Sequence, residues 1–317
     1  MNLKQKDTLI YFKSESLSRA GLGTHAFCSR KGGLSSPPFN SLNLSYNVGD
    51  RNDIVSENYK IVGEKLGINH EHFITVNQSH GDGILIIDEF PENLKEFAIK
   101  TKNLGNDALI TNKPLIPIGI LTADCQPIMF LDRKNRAIGI AHAGWRGTVL
   151  RIGQKVFGEM KKLYGTNPND CLIAFGPSIR QCCYEVGEEV IESLKKEFSN
   201  WENFVTQKTF MPQHDTKDNG NTPSSPPFSK GIIPLSPPLL KGDLGGFSER
   251  RKSKWNFSLD DLNLFQMTEI GIPLKNISKI NLCTSCNNYL FFSYRREKGV
   301  TGRCLSFIML NGDKDNL

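Results

Sequence analysis

Thr122-Ala123-Asp124-Cys125-Gln126-Pro127 separates two short apolar runs, residues 116–121 and 128–131, and a third run at 137–141 leads directly into His142. The runs are too short for helices and rich in β-branched residues, so they read as buried strands. Working outward, residues 73–78 and 84–87 read as strands broken at His80-Gly81-Asp82-Gly83. Residues 172–175, 281–284 and 290–294 read as three more. Val55, Tyr59, Val62 and Leu66 fall at helical spacing, with Asp53 as N-cap and Gly67 as stop. Val149, Ile152, Val156, Met160 and Leu163 form a second helical stripe that Gly165 ends. Residues 187–198 read as a charged amphipathic helix. Ser258 and Asp261 make a capping-box start for a last helix ending at Gly271. Strands and helices mix without a regular βαβ alternation. That predicts an α+β fold of layered sheets and helices, not a doubly wound sheet.

One region differs in composition. From 212 to 252 the chain turns rich in Pro, Gly, Ser and Lys. Ser225-Pro226-Pro227-Phe228-Ser229-Lys230-Gly231 returns as Ser236-Pro237-Pro238-Leu239-Leu240-Lys241-Gly242. Paired prolines fit neither a helix nor a central strand, and the segment has too few apolar groups to offset its ordering entropy. It reads as a disordered insertion into a single domain spanning 1–317, because the part after it is too short for its own core.

The formal net charge is +6 and no dense basic stripe occurs, which argues against a nucleic-acid binder. A small anionic ligand accounts for the surplus more economically. No apolar stretch is long enough to span a bilayer, and the N-terminal residues lack the apolar run of a signal peptide. The expected compartment is the cytoplasm, where eight cysteines read as thiols and not as a disulfide frame. No protein partner is implied.

Six histidines are present, and two stand where chemistry would want them. His80 follows a strand and is flanked by Gly81 and Gly83. His142 ends a strand and opens Ala143-Gly144-Trp145-Arg146-Gly147-Thr148, just before a helix whose N-terminus favours anions. Cys125 lies between them in a strand break. Two imidazoles and a thiolate suit catalytic zinc, with a fourth position left for water or substrate. The competing reading is a pair of hydrogen-bonded structural histidines and a core cysteine. Cys283-Thr284-Ser285-Cys286 is a single C-x-x-C without a suitably spaced second pair, and Cys182-Cys183 is too local to supply one, so these four read as structural thiols. His70-Glu71-His72 reads as a solvated loop. Arg30, Arg146, Arg295, Arg296 and Arg303 are candidate anion forks, with Arg146 the best placed. Asp107 and Asp124 are candidate acids.

The chain also resembles the bacterial laccase-domain, polyphenol oxidase-like family described as broad-specificity purine nucleoside phosphorylases. The matching pieces run nearly end to end: Ser29-Arg30-Lys31-Gly32-Gly33, Phe39-Asn40-Ser41-Leu42-Asn43-Leu44, Val48-Gly49-Asp50, Gln78-Ser79-His80-Gly81, Asp107-Ala108-Leu109-Ile110-Thr111, Thr122-Ala123-Asp124-Cys125, Ala141-His142-Ala143-Gly144-Trp145-Arg146-Gly147, Gly176-Pro177-Ser178-Ile179, Cys183-Tyr184-Glu185-Val186 and Phe292-Ser293-Tyr294-Arg295-Arg296. Only the Pro-rich insertion lacks a counterpart. The resemblance implies one α/β/β/α-type domain with mixed sheets, and zinc held by His80, Cys125 and His142, with copper the alternative metal. It implies catalysis by those three with Arg146, and substrate contacts from Arg30, Asn43, Arg295 and Arg296. The implied substrates are phosphate and purine nucleosides (adenosine, inosine, methylthioadenosine), with adenosine deamination as a second activity. The competing functions are a cysteine or metal amidase acting on cell-wall precursors, with Cys125 as nucleophile, and a copper polyphenol oxidase. Six histidines are too few for a multi-copper relay, which ranks the oxidase low.

Overall fold

Side chains alternate across a strand, so a strand apolar at every position must be covered on both faces. The runs at 127–131 and 137–141 meet that description, and the strands that carry them, 126–132 and 137–143, are buried throughout. A computed structural model describes residues 2–207 and 254–312. In chain order its elements are β1 (Asn2–Lys6), β2 (Leu9–Lys13), α1 (Glu15–Ala20), β3 (Gly23–Cys28), α2 (Asn52–Leu66), β4 (Ile84–Ile87), α3 (Leu94–Thr101), β5 (Ala108–Thr111), β6 (Ile118–Thr122), β7 (Gln126–Asp132), β8 (Ala137–Ala143), α4 (Trp145–Val149), α5 (Ile152–Tyr164), β9 (Cys171–Phe175), β10 (Glu185–Val186), α6 (Glu188–Glu197), β11 (Val205–Gln207), β12 (Trp255–Phe257), α7 (Leu259–Glu269), β13 (Ile277–Lys279) and β14 (Cys304–Leu310).

Two large sheets lie face to face. One has the order β1-β2-β3-β14-β6 and is antiparallel throughout. The other, β13-β9-β7-β8-β5-β4, is mixed, with parallel pairs at both edges. A small third sheet has the order β10-β12-β11. Between the large sheets Phe27, Ile118, Ile120 and Ile308 pack with Met129, Leu131, Ile138 and Ile140. The alternate residues of the same strands face outward. Leu305 and Phe307 of β14 meet Val55, Tyr59 and Val62 of α2. Ile128 and Phe130 of β7 meet Ile152, Val156 and Met160 of α5. The layers are therefore α/β/β/α, as the resemblance implies, with one large sheet mixed and the other antiparallel. Each fully buried apolar side chain contributes about 1.5–3 kcal/mol through the water it leaves.

Several expectations need correction. Residues 73–78 are not a strand; Ile74 and Asn77 make only isolated bridges, to Ile118 and Gly105. Residues 290–294 are not a strand either: Leu290 and Phe291 are buried, but both their amides donate to Asn287 O, at 2.8 and 3.0 Å, which closes a turn. Residues 281–284 supply one bridge, Ser178 to Cys283. Asp53 sits in the first turn of α2, paired to the cap residue Arg51, and does not cap it. The stripe from Val149 to Leu163 is split. Arg151, at φ 61°, ends α4 and opens α5, and Leu163 is exposed. Gly67 and Gly165 end their helices in the left-handed conformation, and the Ser258 side chain caps α7, as expected. The insertion at 212–252 lies outside the described residues.

Candidate metal centre

Strand β8 carries His142 into the end of its sheet, where the ring is buried. Cys125 occupies the break between β6 and β7. His80 comes from the connection ahead of β4. One donor atom from each lies within 4.8 Å of the others. The two imidazoles meet edge to face with centroids 4.8 Å apart. The set grades from buried His142 through half-buried Cys125 to exposed His80. Gly144 passes close behind it. A Cβ there would lie 3.0 Å from Cys125 Sγ and 3.3 Å from His80 Cδ2, so only glycine leaves the donors undisturbed.

Asp107, fully buried just ahead of β5, organises both histidines. Its Oδ1 bonds His142 Nδ1 at 2.7 Å, which leaves Nε2 as the donor toward the centre. The same carboxylate accepts the amides of Ser79 (3.1 Å), His80 (3.0 Å) and Gly81 (2.7 Å), and the Ser79 hydroxyl at 2.9 Å. Those bonds hold His80 at φ 61°, a conformation a non-glycine residue adopts only when its surroundings enforce it. Burial alone would raise the Asp107 pKa. The bonds from His142, Gly81 and Ser79 outweigh it and hold the group at about 2. Asp107 is thus a carboxylate orienting a histidine, the arrangement common behind ligating imidazoles, and not the acid expected from sequence.

The donors are electrostatically coupled. Burial would raise the Cys125 thiol, but His142 and His80 overcome that and bring it down to about 6. Burial would lower His142, but the Cys125 thiolate and Asp107 raise it to about 9. Asp124 moves the other way, upward, because it is buried. Its carboxylate accepts Thr284 Oγ1 at 2.6 Å and the Arg295 amide at 2.7 Å, and its φ is 90°. Both oxygens are engaged in holding the loop beside Cys125.

The three donors line a cavity of about 480 Å³, within the range of small-molecule sites. Its wall includes Ile179, Tyr184, Tyr294, Arg295 and Arg303. The arginines divide. Arg295 and Arg303 line the cavity. Arg146, expected there, does not: it stacks on Trp145 and pairs with Glu189 at 2.9 Å. The helix after His142 is the five-residue α4, too short for the expected anion-binding terminus. Arg30 is buried, paired to Glu297 at 2.8 Å, and stacked on Phe292, so it holds loops together and does not line the cavity. Asn43 is also buried; its side chain accepts the amides of Ser45 and Arg303 and so sets two wall residues. Arg296 is exposed and off the wall. Sequence reasoning did not single out Tyr184, although it sits in a quoted motif between Cys183 and strand β10.

The sequence is corrected on one further point. Spacing offered no second pair for Cys283 and Cys286, but the structure brings Cys182 and Cys183 to them, with all four sulfurs within 4.8 Å of one another.

These features define a class: an α/β/β/α protein with a three-donor candidate centre opening on a cavity of small-molecule size. The chain belongs to the family described as multi-copper polyphenol oxidoreductase laccase, whose model matches residues 24–218 and 241–311. The unmatched stretch falls inside the Pro-rich segment. The chain is 31% identical over 293 residues to the purine nucleoside phosphorylase YlmD of Geobacillus stearothermophilus, covering 91% of this chain and 89% of that one. It is 29% identical over 287 residues to the adenosine deaminase RL5 of an unknown prokaryote, covering 90% and 94%. The crystal structure of the hypothetical protein YfiH from Bacillus licheniformis superposes with a TM-score of 0.76 at 27% identity, covering 98% and 99%. Among the described residues no helix is long and apolar enough to cross a membrane.

Proposed function

We propose that this chain is a zinc-dependent purine nucleoside phosphorylase acting on adenosine, inosine and methylthioadenosine. The observation that carries the reading is the coincidence of His80, Cys125 and His142, donor atoms within 4.8 Å, with Arg295 and Arg303 on one cavity wall. The donor set suits zinc: two imidazoles, a thiolate held ready by its neighbours, a carboxylate behind His142, and one side left open. When bound there, zinc supplies charge neutralisation and a template for anionic oxygens.

The chain's own groups do the rest. Arg295 and Arg303 bring guanidinium charge to the wall, where planar forks suit phosphate oxygens. Tyr184, Tyr294 and Ile179 offer aromatic and apolar faces for a purine. Held in line, a phosphate oxygen attacks ribose C1′ as the C1′–N9 bond breaks. The electron pair leaves on the purine, which takes up a proton. The products are ribose 1-phosphate and free base.

A second reading is adenosine deamination in the same cavity, favoured by the similarity to the deaminase RL5. Water adds at C6, the C6–N bond breaks and the amino group leaves as ammonia, so inosine forms without phosphate. A copper oxidase finds less support. His25 is buried against the Ser14 amide, His70 and His72 lie in a single helical turn away from the cavity, and His214 lies outside the described residues.

The test is adenosine turnover by zinc-loaded protein with and without phosphate. Phosphate-dependent release of adenine and ribose 1-phosphate is the expected result. Inosine formed regardless of phosphate favours the deaminase. Neither product, with amide hydrolysis by metal-free protein, favours Cys125 as the nucleophile of an amidase.

A further inference from the structure

Outside the cavity, four cysteines converge from two loops about a hundred residues apart in sequence. Cys182 and Cys183 follow β9, and Cys283 and Cys286 follow β13. The loops are joined by the parallel bridge between Ser178 and Cys283, and the Thr284 amide donates to Ser178 O at 3.0 Å. That junction is why the pairs meet. The Sγ–Sγ distances are 3.8 Å for Cys182–Cys183, 3.7 Å for Cys182–Cys286 and 3.4 Å for Cys183–Cys286, and Cys283 completes the cluster within 4.8 Å of all.

We propose that Cys182, Cys183, Cys283 and Cys286 form a second, structural zinc site that clamps the wall of the cavity. The spacing fits a metal. Four sulfurs about 2.3 Å from a tetrahedral zinc stand about 3.8 Å apart. Packing does not account for the cluster. Of the four only Cys283 is buried, Cys183 is half-buried and Cys182 and Cys286 are exposed, whereas Cys28, Cys171 and Cys304 are all buried, as core thiols are. Four soft thiolates in a tetrahedral set suit zinc or iron–sulfur centres, and sulfurs this close together leave room for a single ion and not for a cluster. The Arg180 amide donates to Cys283 Sγ at 3.5 Å, a contact that suits a metal-bound thiolate.

The site has a clear consequence for the cavity. The first loop also carries Ile179 and Tyr184, both on the wall. The second carries Thr284, whose hydroxyl bonds Asp124 beside Cys125. A cross-link between the loops fixes that wall against the donors. It also closes the long chain segment from Cys183 to Cys283, which includes the Pro-rich insertion, and links closing long loops remove the most unfolded-state entropy.

The full-length chain, expressed with zinc and purified without chelator, tests this by metal count per chain. Wild type is expected to hold two zinc ions. Cys286→Ser is expected to hold one, as is Cys182→Ser; both positions are exposed, so the fold should accept serine. Cys125→Ser should lose the other ion and keep this one, which separates the two sites. Cobalt substitution gives an independent signature. The sulfur-to-cobalt charge-transfer absorption should fall by most of its intensity in Cys286→Ser, because four of the five thiolate ligands stand in this cluster. One zinc per chain in wild type, unchanged in both serine variants, would overturn the proposal. So would a disulfide between any two of the four in freshly purified protein.

Discussion

The two sulfur-bearing clusters of this molecule differ in almost everything except sulfur. His142 is borne by a strand buried on both faces, and Cys125 and His80 stand in the breaks beside it. The donors grade from buried to exposed, a buried carboxylate orients them, and they open on a cavity. The four cysteines stand on two loops, with Cys283 buried and the other three partly or fully exposed. None of them lines the cavity. Three donors with an open side suit catalysis, and four with none suit cross-linking. The difference shows that the job of a cysteine is set by what surrounds the metal position, not by the thiol.

Substitutions sharpen the contrast. The largest effect belongs to the cavity cluster itself. His80→Ala, Cys125→Ala or His142→Ala should remove turnover and one bound zinc together, and full activity in any of them breaks the assignment. Next comes Asp107→Asn, which keeps the shape but withdraws the carboxylate from His142. It should lower zinc affinity or turnover by about 10- to 100-fold, as loss of such an orienting partner does elsewhere. Titration with zinc at fixed ionic strength reads this directly, and the cysteine cluster should be unaffected.

Smaller effects divide the arginines. Arg303→Ala should raise the KM for phosphate about tenfold or more, because hydrogen bonds to charged groups contribute about 1.5–3 kcal/mol. Arg146→Ala should change it less than about fivefold, since its exposed pair with Glu189 is worth about 0.2–1 kcal/mol. The reverse order would restore Arg146 to the role its sequence position suggested.

A pH series separates the clusters again. In the metal-free cavity site Cys125 is lowered to about 6 and His142 raised to about 9. At neutral pH the thiolate is ready, but the imidazole holds a proton that zinc must displace. Zinc affinity at this site should therefore rise from pH 7 to about 9 and level off above it. Affinity that is flat or falling over that interval would contradict the coupling of His142 to Cys125 and Asp107.

Much of this was legible in the sequence because apolar periodicity reports burial. The runs at 116–121, 128–131 and 137–141 became β6, β7 and β8, and the glycine stops held. Burial misled where it came without strand pairing. Phe291 and Phe292 are core residues on a turn, and Ile74 is a core residue with a single bridge. Cys125 and His142 were legible because each sits at the end of a strand, and His80 because it stands in a glycine-rich break. Asp107 was visible as an acid, but not its orienting role, which depends on hydrogen bonds spanning two loops. The left-handed backbone of His80 and Asp124 leaves no trace in residue type, unlike a glycine. The cysteine cluster was misread because the bridge from Ser178 to Cys283 joins loops far apart in the chain, and spacing rules see only neighbours.

Anomalous scattering at the zinc edge from a crystal of the zinc-loaded protein tests the central claim most directly. The account predicts a peak about 2.0–2.1 Å from nitrogens of His80 and His142 and about 2.3 Å from Cys125 Sγ. No peak there in fully loaded crystals, with the three side chains turned apart, would contradict it.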